Sequence, residues 1–292
     1  MTPLRILATP ELHEPTLIVA FAGWSDAGSA ATAAAQYLTE RWRAVRLAEI
    51  DAEEFFDFTQ LRPTVRYEGE VRRIDWPENA FHYHETPKRH LIIFKGIEPH
   101  LRWKTYTEAM LEVIDRFQVK LVVGLNALNA DYPHTRPTRI TGTAPDPDML
   151  ERAGIQSRGN RRYEGPTGIH GVLNVALQDR DIPSASIWAN VPHYVQATPN
   201  PPATLALLKS LMAMLEVEVP LSRMQRAALA FDAQLNDATA KNTEVSDYVR
   251  ILEERFDAEV GAPAEGPAEL PATEIIVKDI EDFLRQRSGE GD

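Results

Sequence analysis

The sequence contains no cysteine, which excludes disulfides, thiolate metal sites and a cysteine nucleophile. It also contains no run of about 18 apolar residues that could span a bilayer, and residues 1–15 lack the basic start and apolar core of a signal peptide. We therefore expect a cytoplasmic protein without a membrane partner. Acidic residues outnumber basic ones, 43 against 31, and the formal charge of −12 opposes non-specific binding to nucleic acid.

Standard nucleotide-binding signatures are missing as well. Neither a Walker A motif nor a G-x-G-x-x-G fingerprint occurs anywhere in the chain. We predict no cofactor.

The N-terminal part of the chain has the pattern of a buried strand followed by an alanine-rich helix. Residues 17–21 are apolar and branched, Gly23 marks the turn that leaves the strand, and alanines dominate residues 27–35. Asp26 is well placed to cap the helix, because its carboxylate can accept from the free N–H groups of the first turn. The same carboxylate would repel an anion there, which favours capping over a phosphate site. This segment predicts the first half of a parallel β-α-β unit.

Strand and helix patterns alternate through the following residues. Continuous apolar runs predict strands at 45–50, 90–96, 119–125 and 184–190, and helical spacing predicts helices at 103–117, 169–179 and 201–214. Residues 64–76 alternate apolar with charged positions, which predicts a half-exposed antiparallel strand or hairpin. The alternation predicts an α/β fold, a three-layer α/β/α arrangement with a mostly parallel sheet, over residues 1–218.

Beyond residue 219 the patterns are helical only. Apolar residues at helical spacing predict a helical hairpin, and the Ala-, Glu-, Gly- and Pro-rich residues 257–271 predict an exposed linker. Thr273 would then cap a last helix. We therefore predict that residues 219–292 form a C-terminal helical extension of the α/β domain.

A candidate site follows from the predicted sheet, because ligands of open parallel sheets bind beyond the carboxyl ends of the strands. Loops at 24–28, 126–137 and 191–200 leave such ends, and a glycine-rich turn at 163–168 can join them. We call this site the predicted cleft. Its polar and aromatic residues are Trp24, Ser25, Asp26, Asp131, His134, Arg136, Glu164, Thr167, His193 and Tyr194.

Arg136 is the residue of the predicted cleft that most resembles a functional group. It stands between Pro133 and Pro137, which restrict the backbone around it. A fixed arginine at a strand's carboxyl end suits an anionic ligand. An ion pair with one of three carboxylates explains it equally well, and these are Asp26, Asp131 and Glu164.

Two other chemical patterns are incomplete. Residues 23–27 nearly match the G-x-S-x-G nucleophile elbow, but the last glycine is replaced by Ala27 and no earlier strand builds an oxyanion loop. We interpret Ser25 as a small turn residue. Three Pro-His pairs, which contain His100, His134 and His193, suggest a metal site, but no short ligand spacing supports it and we predict none.

Four segments of the chain resemble the proteasome assembly chaperone 2 family, most closely its actinobacterial branch. They are G-W-S-D-A-G at 23–28, A-D-Y-P-H-T-R-P at 130–137, E-G-P-T-G-I at 164–169 and V-P-H-Y-V at 191–195. The likeness runs from about Leu17 to Met214, with a similar helical tail beyond. It implies an α/β/α fold like that of purine nucleoside phosphorylases and nucleosidases, and self-association, for instance as trimers.

The resemblance also bears on function. Eukaryotic and archaeal members of the family help to assemble proteasome rings and are not enzymes, and some dock on the ring through a tail of hydrophobic residue, tyrosine and any residue. Residues 288–292 here read S-G-E-G-D, which argues against docking through such a tail. In the family's turn pattern an asparagine often stands where Ser25 does, which weakens the nucleophile further. No agreed catalytic set exists to carry over.

Two hypotheses from different classes follow. The first is a non-catalytic, cytoplasmic protein-interaction or assembly-chaperone-like protein that forms homo-oligomers and has proteasome-related partners. The second is a nucleoside- or nucleotide-related enzyme or binding protein. It would use five residues of the predicted cleft, namely Asp26, His134, Arg136, Glu164 and His193.

Overall fold

The computed structural model describes residues 3–157 and 164–260. Its strands are β1 Leu4–Ile6, β2 Thr16–Ala22, β3 Val45–Ile50, β4 Thr64–Glu68, β5 Val71–Asp75, β6 Ala80–Glu85, β7 His90–Ile97, β8 Leu121–Ala130, β9 Ile140–Thr143, β10 Gln156–Ser157 and β11 Ser184–Pro192. Its α-helices are α1 Ala30–Trp42, α2 Trp103–Arg116, α3 Pro147–Arg152, α4 Ile169–Gln178, α5 Pro201–Leu215, α6 Ser222–Ala240 and α7 Thr243–Val260. Within these residues no helix is both long and apolar enough to cross a membrane.

Nine of the strands form one twisted sheet in the order β1-β3-β6-β7-β2-β8-β11-β9-β10. The four central strands, β7, β2, β8 and β11, are parallel to one another. On one side β6, β3 and β1 continue the sheet in antiparallel fashion, and on the other side β9 is antiparallel to β11 and parallel to β10. The predicted α/β sheet is confirmed, with a parallel centre between antiparallel flanks.

Helices cover both faces of this sheet, which gives three layers. Alternate residues of β2 face opposite cores, because successive side chains of a strand point to opposite sides. Ile18 and Ala20 pack with α1 and α5, whereas Leu17 and Val19 pack with α2 and α4. Both faces of the central strands are therefore buried, which explains their continuous apolar sequence.

The alanines of α1 let that helix lie close to the sheet. Ala30, Ala31, Ala34 and Ala35 are fully buried against the central strands. Larger side chains at these positions would hold the helix axis further from β2. The predicted strand, turn and helix at the N-terminal end of the domain are thus confirmed.

Helices α6 and α7 form the predicted helical hairpin and have a small core of their own. This third core contains Tyr194, Val195, Leu235, Val245, Tyr248, Val249 and Leu252. Helix α7 runs through Val260, so residues 257–260 of the predicted linker are helical. Residues 261–271 and the predicted cap Thr273 lie outside the described residues, and the domain division at 218/219 stays a prediction.

Two central strands are longer than the sequence predicts. β8 reaches Ala130 and β11 reaches Pro192, because the two strands pair in parallel register from Ser184↔Val122 to Pro192↔Ala130. The loop predicted at 126–137 therefore begins inside the sheet. The loop after β8 starts about five residues later than the sequence predicts, because the strand ends at Ala130.

The predicted hairpin at 64–76 is confirmed as β4 and β5, which form a separate two-stranded sheet. Every residue of both strands is exposed. The alternating pattern predicted one buried face, and this expectation is wrong for the single chain.

Candidate functional site

The loops of the predicted cleft meet at one edge of the sheet, as the parallel arrangement requires. Asp26 forms an isolated parallel bridge with Ala127, and the Ala127 N–H donates to the Ser25 carbonyl at 2.8 Å. The Asn200 N–H donates to the Gly28 carbonyl, also at 2.8 Å. The loop that follows β2 is therefore hydrogen-bonded both to β8 itself and to the loop that follows β11.

Asp26 lies at the centre of this junction and is buried. Its Oδ1 accepts from the Ala31 N–H at 2.8 Å and the Thr32 N–H at 3.2 Å, and its Oδ2 accepts from the Thr32 hydroxyl. Capping of α1 is confirmed, although a 3-10 turn at Ala27–Ser29, with Gly28 at φ 58°, lies between the cap and the helix. Burial raises the pKa of Asp26, and its hydrogen bonds offset part of that rise.

Gly28 is required both by its backbone conformation and by its neighbour. A Cβ at this position would lie 2.8 Å from the Asn200 Cβ, which is closer than real side chains approach. Asn200 in turn caps α5, since its Oδ1 accepts from the Ala203 N–H at 3.0 Å. The two loops are therefore locked together by small residues and caps.

Glu98, which sequence reasoning missed, ties the turn after β2 to the start of α4. Its Oε1 accepts from the Ile169 N–H at 2.8 Å and its Oε2 from the Trp24 N–H at 3.3 Å. Gly23 and Gly168 make room for it, since a Cβ on either would lie within 2.9 Å of a Glu98 atom. A carboxylate at a helix N-terminus is favoured by the helix dipole. Its position directly after an apolar strand was the available sequence signal.

Trp24, Ser25, Asp26, Glu164 and Thr167 together form what we call the turn group. The indole of Trp24 is 62% exposed, although its backbone is fixed. Ser25 is half-buried, and within residues 3–157 and 164–260 its hydroxyl has no hydrogen bond to a histidine or carboxylate. Glu164 and Thr167 are exposed at the turn before α4. This arrangement matches the interpretation of Ser25 as a turn residue.

The other five residues form a second set, which we call the helix-bound group because α6 and α7 hold it. They are Asp131, His134, Arg136, His193 and Tyr194. The Tyr194 hydroxyl accepts from the His134 N–H at 2.9 Å and lies 2.7 Å from His134 Nδ1. His134 Nε2 lies 3.1 Å from Asn236 Oδ1 on α6. Since the Asn236 oxygen can only accept, Nε2 carries the proton and the Tyr194 hydroxyl donates to Nδ1.

Burial sets the charge state of this pair. Desolvation lowers the pKa of His134, so its imidazole is neutral at pH 7. Burial raises the pKa of the Tyr194 hydroxyl well beyond its usual value. The two groups therefore form a neutral hydrogen-bonded pair. A catalytic base would need free access to a substrate, whereas these two groups are bonded to each other.

His193 is held in a similar way on the other side of Tyr194. Its Nδ1 lies 3.2 Å from Asp131 Oδ1, and its Nε2 lies 3.2 Å from the Tyr248 hydroxyl on α7. The rings of His193, Tyr194 and Tyr248 pack edge to face. These contacts make His193 part of the attachment between the sheet and α7.

Arg136 is bound to α7 rather than to the loops. Its Nε and Nη2 donate to the two carboxylate oxygens of Asp257 at 2.9 and 2.7 Å, and its Nη1 donates to Glu253 Oε1 at 3.1 Å. The ion-pair interpretation is thus supported, but its predicted partners, the carboxylates of three loops, were wrong. The guanidinium lowers the pKa of Asp257. Because both partners lie more than a hundred residues away, no local pattern could identify them.

A cavity of about 650 Å³ lies between α5, α6 and the loop after β8. Of the residues in the predicted cleft only His134 and Arg136 line it. Its walls include Tyr132, Leu205, Asp232 and Leu235. The turn group is outside this cavity, so the ten residues of the predicted cleft do not all line it.

No metal cluster occurs in the part of the chain that the structure describes. The three Pro-His histidines have other partners there. His100 Nδ1 accepts from the Asp57 N–H at 3.0 Å, whereas His134 and His193 flank Tyr194. The three histidines are therefore engaged in local contacts with other residues.

A second feature missed by sequence reasoning is a buried polar cluster below the site, centred on His170 of α4. His170 Nε2 lies 3.0 Å from Ser186 Oγ and 3.2 Å from Asn126 Nδ2, and the Asn174 amide donates to Ser186 Oγ at 3.1 Å. The ring rests on Gly124, where a Cβ would overlap it. Burial lowers the pKa of His170 to about 4. A glycine inside an otherwise apolar strand was the sequence signal for this close approach.

Comparison with known proteins identifies the family to which the chain is similar. The sequence profile of the PAC2 family matches residues 20–239. A PAC2 family protein from Streptomyces avermitilis is 39% identical, with a TM-score of 0.73 over 80% of this chain and 99% of that one. A proteasome-assembly chaperone homologue from Mycobacterium tuberculosis is 40% identical, with a TM-score of 0.70 over 80% of this chain and 99% of that one. A search of curated proteins found no match.

The fold extends to more distant proteins. PbaB of Pyrococcus furiosus, an archaeal proteasome activator, is 16% identical and has a TM-score of 0.66 over 81% of this chain and 99% of its own. At that identity the likeness concerns the fold alone. The family profile and the bacterial relatives confirm the resemblance drawn from the four sequence segments: this chain belongs to the PAC2 family.

Proposed function

We propose that this chain is a non-catalytic protein-interaction factor of the assembly-chaperone type, which forms homo-oligomers and binds proteasome-related proteins in the cytoplasm. The observation that carries this proposal is the state of the helix-bound group. Its most prominent cation, Arg136, is bound by Asp257 and Glu253, and its histidines are bonded to Tyr194 and Tyr248. These groups hold α6 and α7 in place, which leaves them engaged with protein rather than free for a substrate.

The relatives support the same class of function. The Mycobacterium tuberculosis protein that is 40% identical to this chain is described as a proteasome-assembly chaperone homologue. Its likeness covers 99% of that protein, so it includes the whole fold rather than one shared unit. An assembly role requires exposed contact residues on rigid elements.

Trp24 is the contact residue that we assign to this role. It is exposed, and its backbone N–H is held by the Glu98 carboxylate at 3.3 Å, so a partner would need to order only its side chain. Tryptophan is among the residues that most often carry the free energy of protein interfaces. The edge of the sheet that carries the turn group would then face the partner.

The test is capture of proteasome subunits from cells by tagged full-length chain, with crosslinking before lysis. We expect free or half-assembled proteasome subunits to be recovered, and Trp24→Ala to reduce their recovery at least fivefold. Leu229→Ala removes a side chain of similar exposure from α6 and serves as the matched control. Recovery of no proteasome subunit by wild-type chain would refute the proteasome-related partner, and equal loss with both variants would refute the role of Trp24.

The rival hypothesis of a nucleoside- or nucleotide-related function receives less support. Of its five residues, Asp26 caps α1 and Arg136 is neutralised by α7, and only His134 and Arg136 line the cavity. A thermal-shift screen with nucleosides, nucleotides and phosphate distinguishes the two. Stabilisation by more than about 1 kcal/mol at millimolar ligand would favour the rival, because a ligand that binds only the folded state must raise its stability.

A further inference from the structure

We propose that the hairpin β4–β5 is an arm that docks on a second copy of this chain. We define the arm as residues 63–76. The inference rests on the homo-oligomer in the proposed function and adds the surface that forms it.

The arm has no packing of its own in the single chain. All residues of β4 and β5 are exposed, and a ring contact of Trp76 with Phe58, at 5.0 Å between centroids, joins the end of the arm to the domain. An isolated two-stranded ribbon is at best marginally stable in water. A covering surface would supply the burial that the arm lacks.

The two faces of the arm differ in composition. Val65 and Tyr67 alternate on β4 and thus share a face with Ile74, which pairs with Val65. These side chains are 43%, 69% and 54% exposed, and Trp76, two residues after Ile74, is 51% exposed. Large contiguous apolar surfaces of this kind mark interaction sites. We call it the apolar face.

The charged side chains on the opposite face of the arm pair with one another. Arg66 pairs with Asp75 at 2.7 Å and with Glu68 at 2.6 Å, and Arg73 pairs with Glu68 at 3.3 Å. These ion pairs lie in solvent and need no partner to satisfy them. Only the apolar face is therefore left without a counterpart.

Charge identifies the occupant as another copy of the chain. Residues 63–76 carry three arginines and three carboxylates, but Glu68 and Asp75 lie on the ion-paired face and Glu70 lies in the turn, whereas the whole chain has a formal charge of −12. Arg72, which pairs with Tyr67 and so belongs to the apolar face, has no ion-pair partner among the described residues. The apolar face therefore carries one cation and no carboxylate, which complements the acidic body of a second copy of the chain.

The size of the apolar face fits a share of such an interface. Four large side chains, each about half exposed, give a patch on the order of 400 Å², about half of the ~800 Å² per partner that a standard interface buries. The rest would come from the body on which the arm lies.

The experiment is sedimentation velocity of the full chain across a concentration series. We expect wild-type chain to self-associate and the double variant Tyr67→Ser/Ile74→Ser to weaken that association at least tenfold. Val71→Ser is the matched control, because Val71 is 54% exposed, as Ile74 is, but lies on the ion-paired face. Its association constant should stay within twofold of wild type.

A second variant protects the test against misfolding. Thr64 and Asp75 are directly paired, so two glycines can join Pro63 to Trp76 and remove both strands without disturbing either core. This deletion should be monomeric and keep the far-ultraviolet circular dichroism of the remaining fold. A monomeric wild-type chain at 100 µM, or association unchanged in the double variant or in the deletion, would overturn the proposal.

The outcome is separable from that of the proposed function. If proteasome subunits are captured but arm variants do not change self-association, the role of the arm is refuted and the proposed function is retained. If arm variants lose self-association but no proteasome subunit is captured, the role of the arm is supported and the proteasome-related partner is refuted. Loss of capture without loss of association would show that the apolar face binds the partner instead, which also refutes the inference.

Discussion

His170 should make the folded protein less stable as the pH falls from neutral towards 4. Its imidazole is buried over Gly124 among uncharged groups of Asn126, Asn174 and Ser186, and burial is the cause of its lowered pKa. In the unfolded chain the same ring takes up a proton near pH 6.5, whereas in the folded chain it stays neutral until about pH 4. The unfolded state therefore binds more protons in this window, and stability falls as the pH falls.

The magnitude follows from the pKa difference. One pKa unit corresponds to about 1.4 kcal/mol, so the shift from 6.5 to about 4 is worth about 3 kcal/mol when the window has been crossed completely. Between pH 7 and pH 4.5 the expected loss is about 2 kcal/mol. This is a substantial share of the 5–15 kcal/mol that is typical of whole domains.

The assay compares urea unfolding of wild type and His170→Gln at pH 7 and pH 4.5. The variant loses hydrogen bonds at both pH values, but its stability should fall by about 2 kcal/mol less between them, since glutamine does not titrate. His13→Gln, which replaces an exposed histidine by the same residue, is the control for the substitution itself. An equal fall for wild type and His170→Gln would refute the argument, because the other histidines with lowered pKa values remain in both.

Two further predictions concern packing and attachment. Gly124→Ala should destabilise the protein by about 3 kcal/mol, because the new methyl overlaps His170. The double variant with His170→Ala should recover part of this stability, as measured by the urea midpoints. No recovery would show that another neighbour is responsible. Arg136→Ala should lower the overall stability only slightly but speed amide exchange in α7, since it frees Asp257. Arg250→Ala, which breaks only ion pairs within α7, is its control, and equal exchange in both variants would contradict the attachment role.

The central architecture could be predicted because its signals are local. The apolar run of β2 and the alanines of α1 specify a buried strand and a closely packed helix, and Asp26 caps that helix as expected. The offset of the cap could not be predicted, since it depends on Gly28 in a left-handed conformation against Asn200. Strand ends failed for a similar reason: β8 continues to Ala130 only because β11 supplies partners for it.

The candidate site was predicted less well, because its partners are distant in sequence. Convergence of the loops follows from parallel strands, but Arg136 meets carboxylates of α7 rather than those of its neighbours. Glu98 and His170 were missed for opposite reasons. Glu98 looks like an ordinary loop acid, and His170 looks like one polar residue in a helix until Gly124 shows where its ring must lie.

The third core has a consequence for how the protein opens. Because the cluster that joins α6 and α7 to Tyr194 has only seven buried apolar residues, we expect this region to unfold more easily than the sheet. At moderate temperature α6 and α7 should therefore unfold first, while the two large cores on the faces of the sheet remain folded. A proteolytic fragment that ends shortly before α6 would be the durable remnant of such a transition.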